Sequence, residues 1–200
     1  MPSSIWIRIV IFVAALFWFG ATLVMEIPVG ERWVRPLGLA ASATVAGILA
    51  FDRYLWRLLP QSVVKHPKVR GTWKATLEYE WPSGTRKTKD CYLVIQQTFS
   101  QLSVVGLFDI SRSRSTAADI TKTDGSYELW YVYWSEANPL ERGGNPPHRG
   151  AMNLTVSFHP RIALEGQYWT DRKTVGLVRT SGHSKKLFNS YSTAERGSYS

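Results

Sequence analysis

The unbroken uncharged stretch from Ile9 to Met25 (IVIFVAALFWFGATLVM) constrains this chain more than any other feature. With Ile5, Trp6 and Ile7 ahead of Arg8, the apolar segment reaches about 21 residues. At about 1.5 Å per helical residue, that is enough to cross a bilayer core of about 30 Å. A secretory signal peptide is the competing reading. Its apolar core would run to only about 7–15 residues, however, and Met25-Glu26-Ile27 is not a small-residue cleavage site. A second uncharged run, Leu37 to Phe51 (LGLAASATVAGILAF), is short for a span and taken alone would also fit a buried soluble helix. Pro28, Gly30 and Pro36 punctuate the connector EIPVGERWVRP as a chain reversal requires. Trp33 and Trp56 stand near the ends of the second run, where indoles favour the membrane interface. Residues 1–62 are therefore expected to form a two-helix transmembrane hairpin, with spans at about 5–25 and 37–56.

Flanking charge gives the expected orientation. Arg8 precedes the first run and Arg53, Arg57, Lys65, Lys68 and Arg70 follow the second, against Arg32 and Arg35 in the connector, so both termini are expected in the cytoplasm. The single Cys91 excludes an intramolecular disulfide framework and agrees with a reducing compartment. Residues 61–200 carry 19 basic and 12 acidic groups, a net charge of +7. A basic domain held beside a membrane suits anionic headgroups or a phosphate-bearing ligand, and charge alone does not choose between them.

From Val69 to Ser181, β-branched and aromatic residues are interrupted every ten or so positions by Gly, Pro, Asp, Asn or Ser clusters, the pattern of an all-β sandwich or barrel. Eight strands are predicted, at 69–81, 90–99, 101–108, 113–121, 126–135, 151–159, 162–170 and 175–180. Short connections favour an antiparallel up-and-down meander, and closing it into a lipocalin-like barrel over residues 66–183 would remove the exposed edges. Alternation predicts Trp73, Ala75, Leu77 and Tyr79 inside, and Met152, Leu154, Val156 and Phe158 on one face; the 126–135 strand is aromatic on both faces. The long segment 136–149 (EANPLERGGNPPHR) is equally a binding loop or a mobile one. Residues 184–200, polar and without periodicity, are expected to be a disordered tail.

No catalytic constellation emerges. His66, His148, His159 and His183 lack metal-site spacing, no GxSxG, GxxxxGK[ST] or GxGxxG is present, and neither a metal, a cofactor nor enzymatic activity is expected. Gly38 and Ser42, and Ala43 and Gly47, stand four apart and would let helix backbones approach, within one hairpin or between chains. The run Ser111-Arg112-Ser113-Arg114-Ser115-Thr116 sets guanidinium groups among hydroxyls, and Tyr168-Trp169-Thr170-Asp171-Arg172-Lys173 sets aromatics before a basic turn. Such side chains suit phosphate oxygens and ring stacking, although a solvated basic hairpin beside core aromatics has the same composition.

In order and spacing, several short segments after the two apolar runs resemble the two-transmembrane β-barrel effectors of bacterial CBASS anti-phage systems. They are Arg70-Gly71-Thr72-Trp73, Gln97-Thr98-Phe99, the Ser/Arg run from Ser111, Tyr131-Val132-Tyr133 with Asn138-Pro139, His148-Arg149-Gly150, and Gly166-Gln167-Tyr168-Trp169-Thr170 with Gly176. The resemblance implies a STING-analogous sensor: a cytosolic barrel binds a cyclic nucleotide made by a CD-NTase, and the chains then assemble in the inner membrane and disrupt it. On that resemblance, Trp73, Tyr131, Tyr133 and Tyr168 would line or stack in the ligand pocket. Arg112, Arg114 and Arg172 would meet phosphates, while Thr98, Ser113, Ser115 and Thr170 would add hydrogen bonds. The expected partners are a cyclic dinucleotide, the lipid bilayer and further copies of the chain through Gly38, Ser42, Ala43 and Gly47, with no direct DNA or RNA contact. Two alternatives stay open: a tethered carrier with an uncharged pocket, and an assembly subunit with a filled barrel and an exposed aromatic patch.

Overall fold

The computed structural model describes residues 8, 11–16, 20, 34–60, 63, 64, 66–80 and 84–200. The chain divides into two compact units, Met1–Val64 and Lys65–Ser200. In the first, helix α1 (Val34–Arg53) leads into a 3-10 turn at Leu55–Arg57. The middle of α1 is Ala, Ser, Thr, Val and Gly rather than a run of Leu and Ile, and no helix among the described residues is long and apolar enough to cross a membrane. Apart from Arg8, residues 11–16 and Gly20, the first expected span lies outside the described residues. Ser42, Ala43 and Gly47 lie on α1; Gly38 does too, its surroundings being outside the described residues.

The second unit is a closed antiparallel barrel of eight strands in sequence order. These are β1 (Gly71–Glu80), β2 (Arg86–Gln97), β3 (Leu102–Leu107), β4 (Ser111–Thr123), β5 (Ser126–Ala137), β6 (His148–Ser157), β7 (Ala163–Thr170) and β8 (Val175–Ser184). Strand β8 returns to pair with β1 from Thr72↔Ser184 to Glu80↔Val175, leaving no sheet edge. The β4–β5 hairpin turns on Asp124 and Gly125, both with positive φ, the signature of a two-residue primed turn. Trp73, Ala75 and Leu77 point inward as their alternation predicts, joined by Leu129, Tyr131, Tyr133, Met152, Leu154 and Val178.

Two bulges decide which side chains reach the interior. In β4 the inward set is Ser111, Ser113 and Ser115; a register shift between Ser115 and Ala117 then hands the interior to Ala118 and Ile120. In β8 the shift against Lys74 and Ala75 turns His183 inward, where its ring lies 4.2 Å from that of Trp73. The aromatic ambiguity of β5 resolves as tyrosines inside and Trp130, Val132 and Trp134 exposed outside.

The end of the barrel where β1 begins is plugged. Gln97 accepts from Val69 N at 3.0 Å and donates to Pro67 O at 2.9 Å, while Trp73 Nε1 donates to Val69 O at 2.9 Å. The expected disordered tail is a correction: residues 184–200 are ordered against the outer wall. Helix α2 (Tyr191–Glu195) starts with a capping box between Ser190 and Thr193. Leu187, Phe188, Tyr191, Ala194 and Tyr199 cover Tyr92, Val94 and Leu107. This explains why Cys91 to Ile95 is apolar without alternation: odd positions face the barrel core and even ones face the tail.

Candidate ligand site at the open barrel mouth

At the end opposite the plug, strand ends and turns converge on a cavity of about 250 Å³. Its floor and walls include Leu77, Tyr133, Ser135 and Tyr168, and its rim includes Lys89, Phe108, Asn145, His148 and Arg172. Both tyrosines are set by cross-strand glycines. Tyr133 pairs with Gly150 and Tyr168 with Gly176, and a Cβ at either glycine would run into the facing ring. Burial raises both phenol pKa values, so both stay neutral hydroxyls across the physiological range.

Arg172 projects from the β7–β8 turn, which its neighbours hold. Thr170 N donates to Thr174 O at 3.0 Å, Lys173 N to Thr170 O at 3.0 Å, and Thr174 N to Thr170 Oγ1 at 3.2 Å. The turn is tied to β6 by Asp171 N to Arg149 O and Arg149 N to Asp171 Oδ2, each 3.0 Å. The guanidinium reaches across to Pro146 O (3.5 Å) and His148 Nε2 (3.4 Å). His148 Nδ1 lies 3.2 Å from Pro146 O and, facing a carbonyl, is the donor; Nε2 is then left to accept from Arg172. Burial, reinforced by the Arg172 charge, lowers the His148 pKa, against the raising effect of its Pro146 bond, so the imidazole is neutral at pH 7.

The cations of the mouth among the described residues are Lys89, which lies 5.7 Å over the Phe108 ring, and Arg172, and no carboxylate among the described residues lines the cavity. Thr174 is buried, lines the same cavity, and its Oγ1 has no hydrogen-bond partner among the described residues. A buried hydroxyl without a partner is uncommon and leaves a polar valence for a ligand. Among the described residues no His, Cys, Asp or Glu group is clustered to hold a metal. Two cations, neutral hydroxyls and ring faces without an acceptor-only wall suit an anionic, ring-bearing ligand.

Of the residues singled out by sequence, Tyr133, Tyr168, Thr170 and Arg172 meet at this mouth. Ser113 is buried and inward, with its Oγ packed at Gly106, and Ser115 Oγ accepts from Val104 N at 2.9 Å. Tyr131 lies deeper, its hydroxyl donating to Met152 Sδ at 2.8 Å. Trp73 belongs to the plug. Thr98 is also at the plugged end, accepting from Gln101 N at 3.0 Å beside a hollow of only about 50 Å³. Arg112 and Arg114 do not reach this mouth: alternation with inward Ser111, Ser113 and Ser115 exposes both on the outer wall, where Arg112 Nη1 donates to Asn189 O at 3.3 Å. Lys89, His148 and Thr174 went unnoticed in the sequence as ligand residues. Lys89 had a signal, a cation two residues before the apolar run Cys91–Ile95 of β2, and the 136–149 loop, already a candidate, contributes Gly144, Asn145 and His148.

A family model described as Cap15, cyclic dinucleotide receptor domain, matches residues 64–181, more than half of the chain and the barrel as far as Ser181 in β8. No curated protein matches the chain.

Proposed function

The chain belongs to the family of Cap15 cyclic dinucleotide receptor domains, and from that premise we propose that the open barrel mouth is where the cyclic dinucleotide of a CBASS response binds. Tyr133 and Tyr168 offer ring faces and neutral hydroxyls to the nucleoside, Lys89 and Arg172 meet phosphate oxygens, and Thr174 supplies its unused hydroxyl. The observation that carries this is the convergence of two cationic side chains on an aromatic cavity that no carboxylate among the described residues lines. It also disfavours the tethered carrier, whose pocket would be uncharged. An assembly subunit that binds a partner through its outer wall draws on the exposed Trp130, Val132, Trp134 and Trp169, but gives Lys89 and Arg172 no role.

Beyond binding, we propose a receptor without enzymatic activity, held in the bacterial inner membrane by two N-terminal spans with both termini cytoplasmic, that assembles on ligand binding and disrupts the bilayer. The uncharged Ile9–Met25 stretch, its flanking cations and the small residues of α1 support this. Calorimetric titration of Lys65–Ser200 with 3′,3′-linked cyclic dinucleotides of every base pairing tests the binding step. Saturable heat from one or a few members is expected; no heat from any of them would refute it.

A further inference from the structure

The mouth is too small for the whole ligand that the proposed function assigns to it. A cyclic dinucleotide carries two bases, two riboses and two phosphodiesters, whereas the cavity holds about 250 Å³, below the roughly 300–1,000 Å³ of pockets that enclose even a drug-sized molecule. There is no room further down. Tyr131 and Met152, bonded hydroxyl to sulfur at 2.8 Å, close the barrel beneath, and Leu129 and Leu154 fill the next layer. An eight-stranded barrel is just wide enough for its own side chains to fill it, so only the top layer is free.

What fits in the top layer is one nucleotide: a ring against Tyr133 and Tyr168 and a singly charged phosphodiester between Lys89 and Arg172. The other half of the ligand then stands at the rim, beside the exposed Gly144 and the partly exposed Asn145. Because the two halves of a cyclic dinucleotide are chemically alike and related by a two-fold or near two-fold axis, the protruding half presents to solvent the same ring and phosphate that the first mouth has bound. A second copy of the chain carries the matching mouth, and a two-fold ligand joins two identical sites by an isologous arrangement. Resting on the assignment of the mouth as the cyclic dinucleotide site, we infer that each mouth takes one nucleotide half and that a single ligand bridges two chains.

Bridging has a signature that ordinary ligand-induced assembly lacks. As ligand rises past one per two chains, each mouth acquires its own molecule and the bridges come apart by mass action. The test uses the full chain in detergent micelles, with calorimetry against the cyclic dinucleotide panel and mass measurement or crosslinking across the titration. The expected result is one ligand per two chains and a dimer population that peaks there and falls in about tenfold excess. One ligand per chain, or a dimer that rises to a plateau and stays, overturns the inference while leaving the mouth as the site. Heat from no member of the panel overturns the site assignment and the inference together.

Discussion

Replacing Arg172 by Ala separates a ligand contact from a structural one. Its guanidinium contacts to Pro146 O and His148 Nε2, at 3.5 and 3.4 Å, are at the long limit of hydrogen bonding. The turn that carries it is held by Thr170, Thr174, Asp171 and Arg149 through bonds that do not use the Arg172 side chain. The variant therefore keeps the bonds that hold the turn. A charge-assisted bond to phosphate contributes about 1.5–3 kcal/mol, so the variant should bind roughly ten- to 150-fold more weakly, with its unfolding midpoint within about 2 °C of wild type. The His148 imidazole supplies an internal check. Its pKa is lowered first by burial and further by the Arg172 charge, so in the variant it should titrate closer to the ordinary 6.5 when followed by NMR. If His148 shifts upward as expected while ligand affinity is unchanged, the charge has been removed without consequence and Arg172 does not belong to the site.

Other perturbations test the remaining parts of the account. Burial lowers the pKa of both His148 and His183 below 6.5, so the unfolded chain takes up protons first as pH falls. Their contribution to stability should be fully present above pH 6.5 and decline below it, visible as a lower urea midpoint at pH 5.5 than at 7.5; a flat profile would count against buried neutral imidazoles. Tyr199 stacks on Tyr92 at 5.7 Å and donates to Ala194 O at 2.7 Å, so Tyr199→Ala should lower unfolding free energy by about 1–3 kcal/mol, and no loss would mean that the tail does not cover β2. Replacing Ala43 and Gly47 together by Leu should leave ligand affinity unchanged but reduce ligand-dependent crosslinking and toxicity in cells. Killing at wild-type potency and equal expression would place the assembly seam elsewhere.

The architecture was legible because alternation and turn residues carry it. Each of the eight predicted strands overlaps an observed one, and Trp73, Ala75 and Leu77 face inward as their spacing requires. The site was legible only in part, because a pocket depends on how far along the barrel a residue sits as well as on which face it occupies. Trp73 and Thr98 have suitable chemistry but sit at the plugged end, and Tyr131 lies one layer below Tyr133. The Ser/Arg run illustrates the register problem: its serines alternate inward, so the cations that drew attention to it face solvent. Sequence also hid the tail. Its apolar residues Leu187, Phe188, Tyr191 and Tyr199 are too few and too unevenly spaced to show periodicity, and only the two-sided burial of β2 gives them a surface to cover.

Binding at the open mouth is tested most directly by a crystal structure of the barrel unit, Lys65–Ser200, with its cyclic dinucleotide. The expected structure has a base packed on Tyr133 and Tyr168, a phosphate within hydrogen-bond distance of Arg172 or Lys89, and a partner for the Thr174 hydroxyl. A ligand found instead at the plugged end beside His66 and Gln97, or on the outer wall against Trp130 and Trp134, would contradict it.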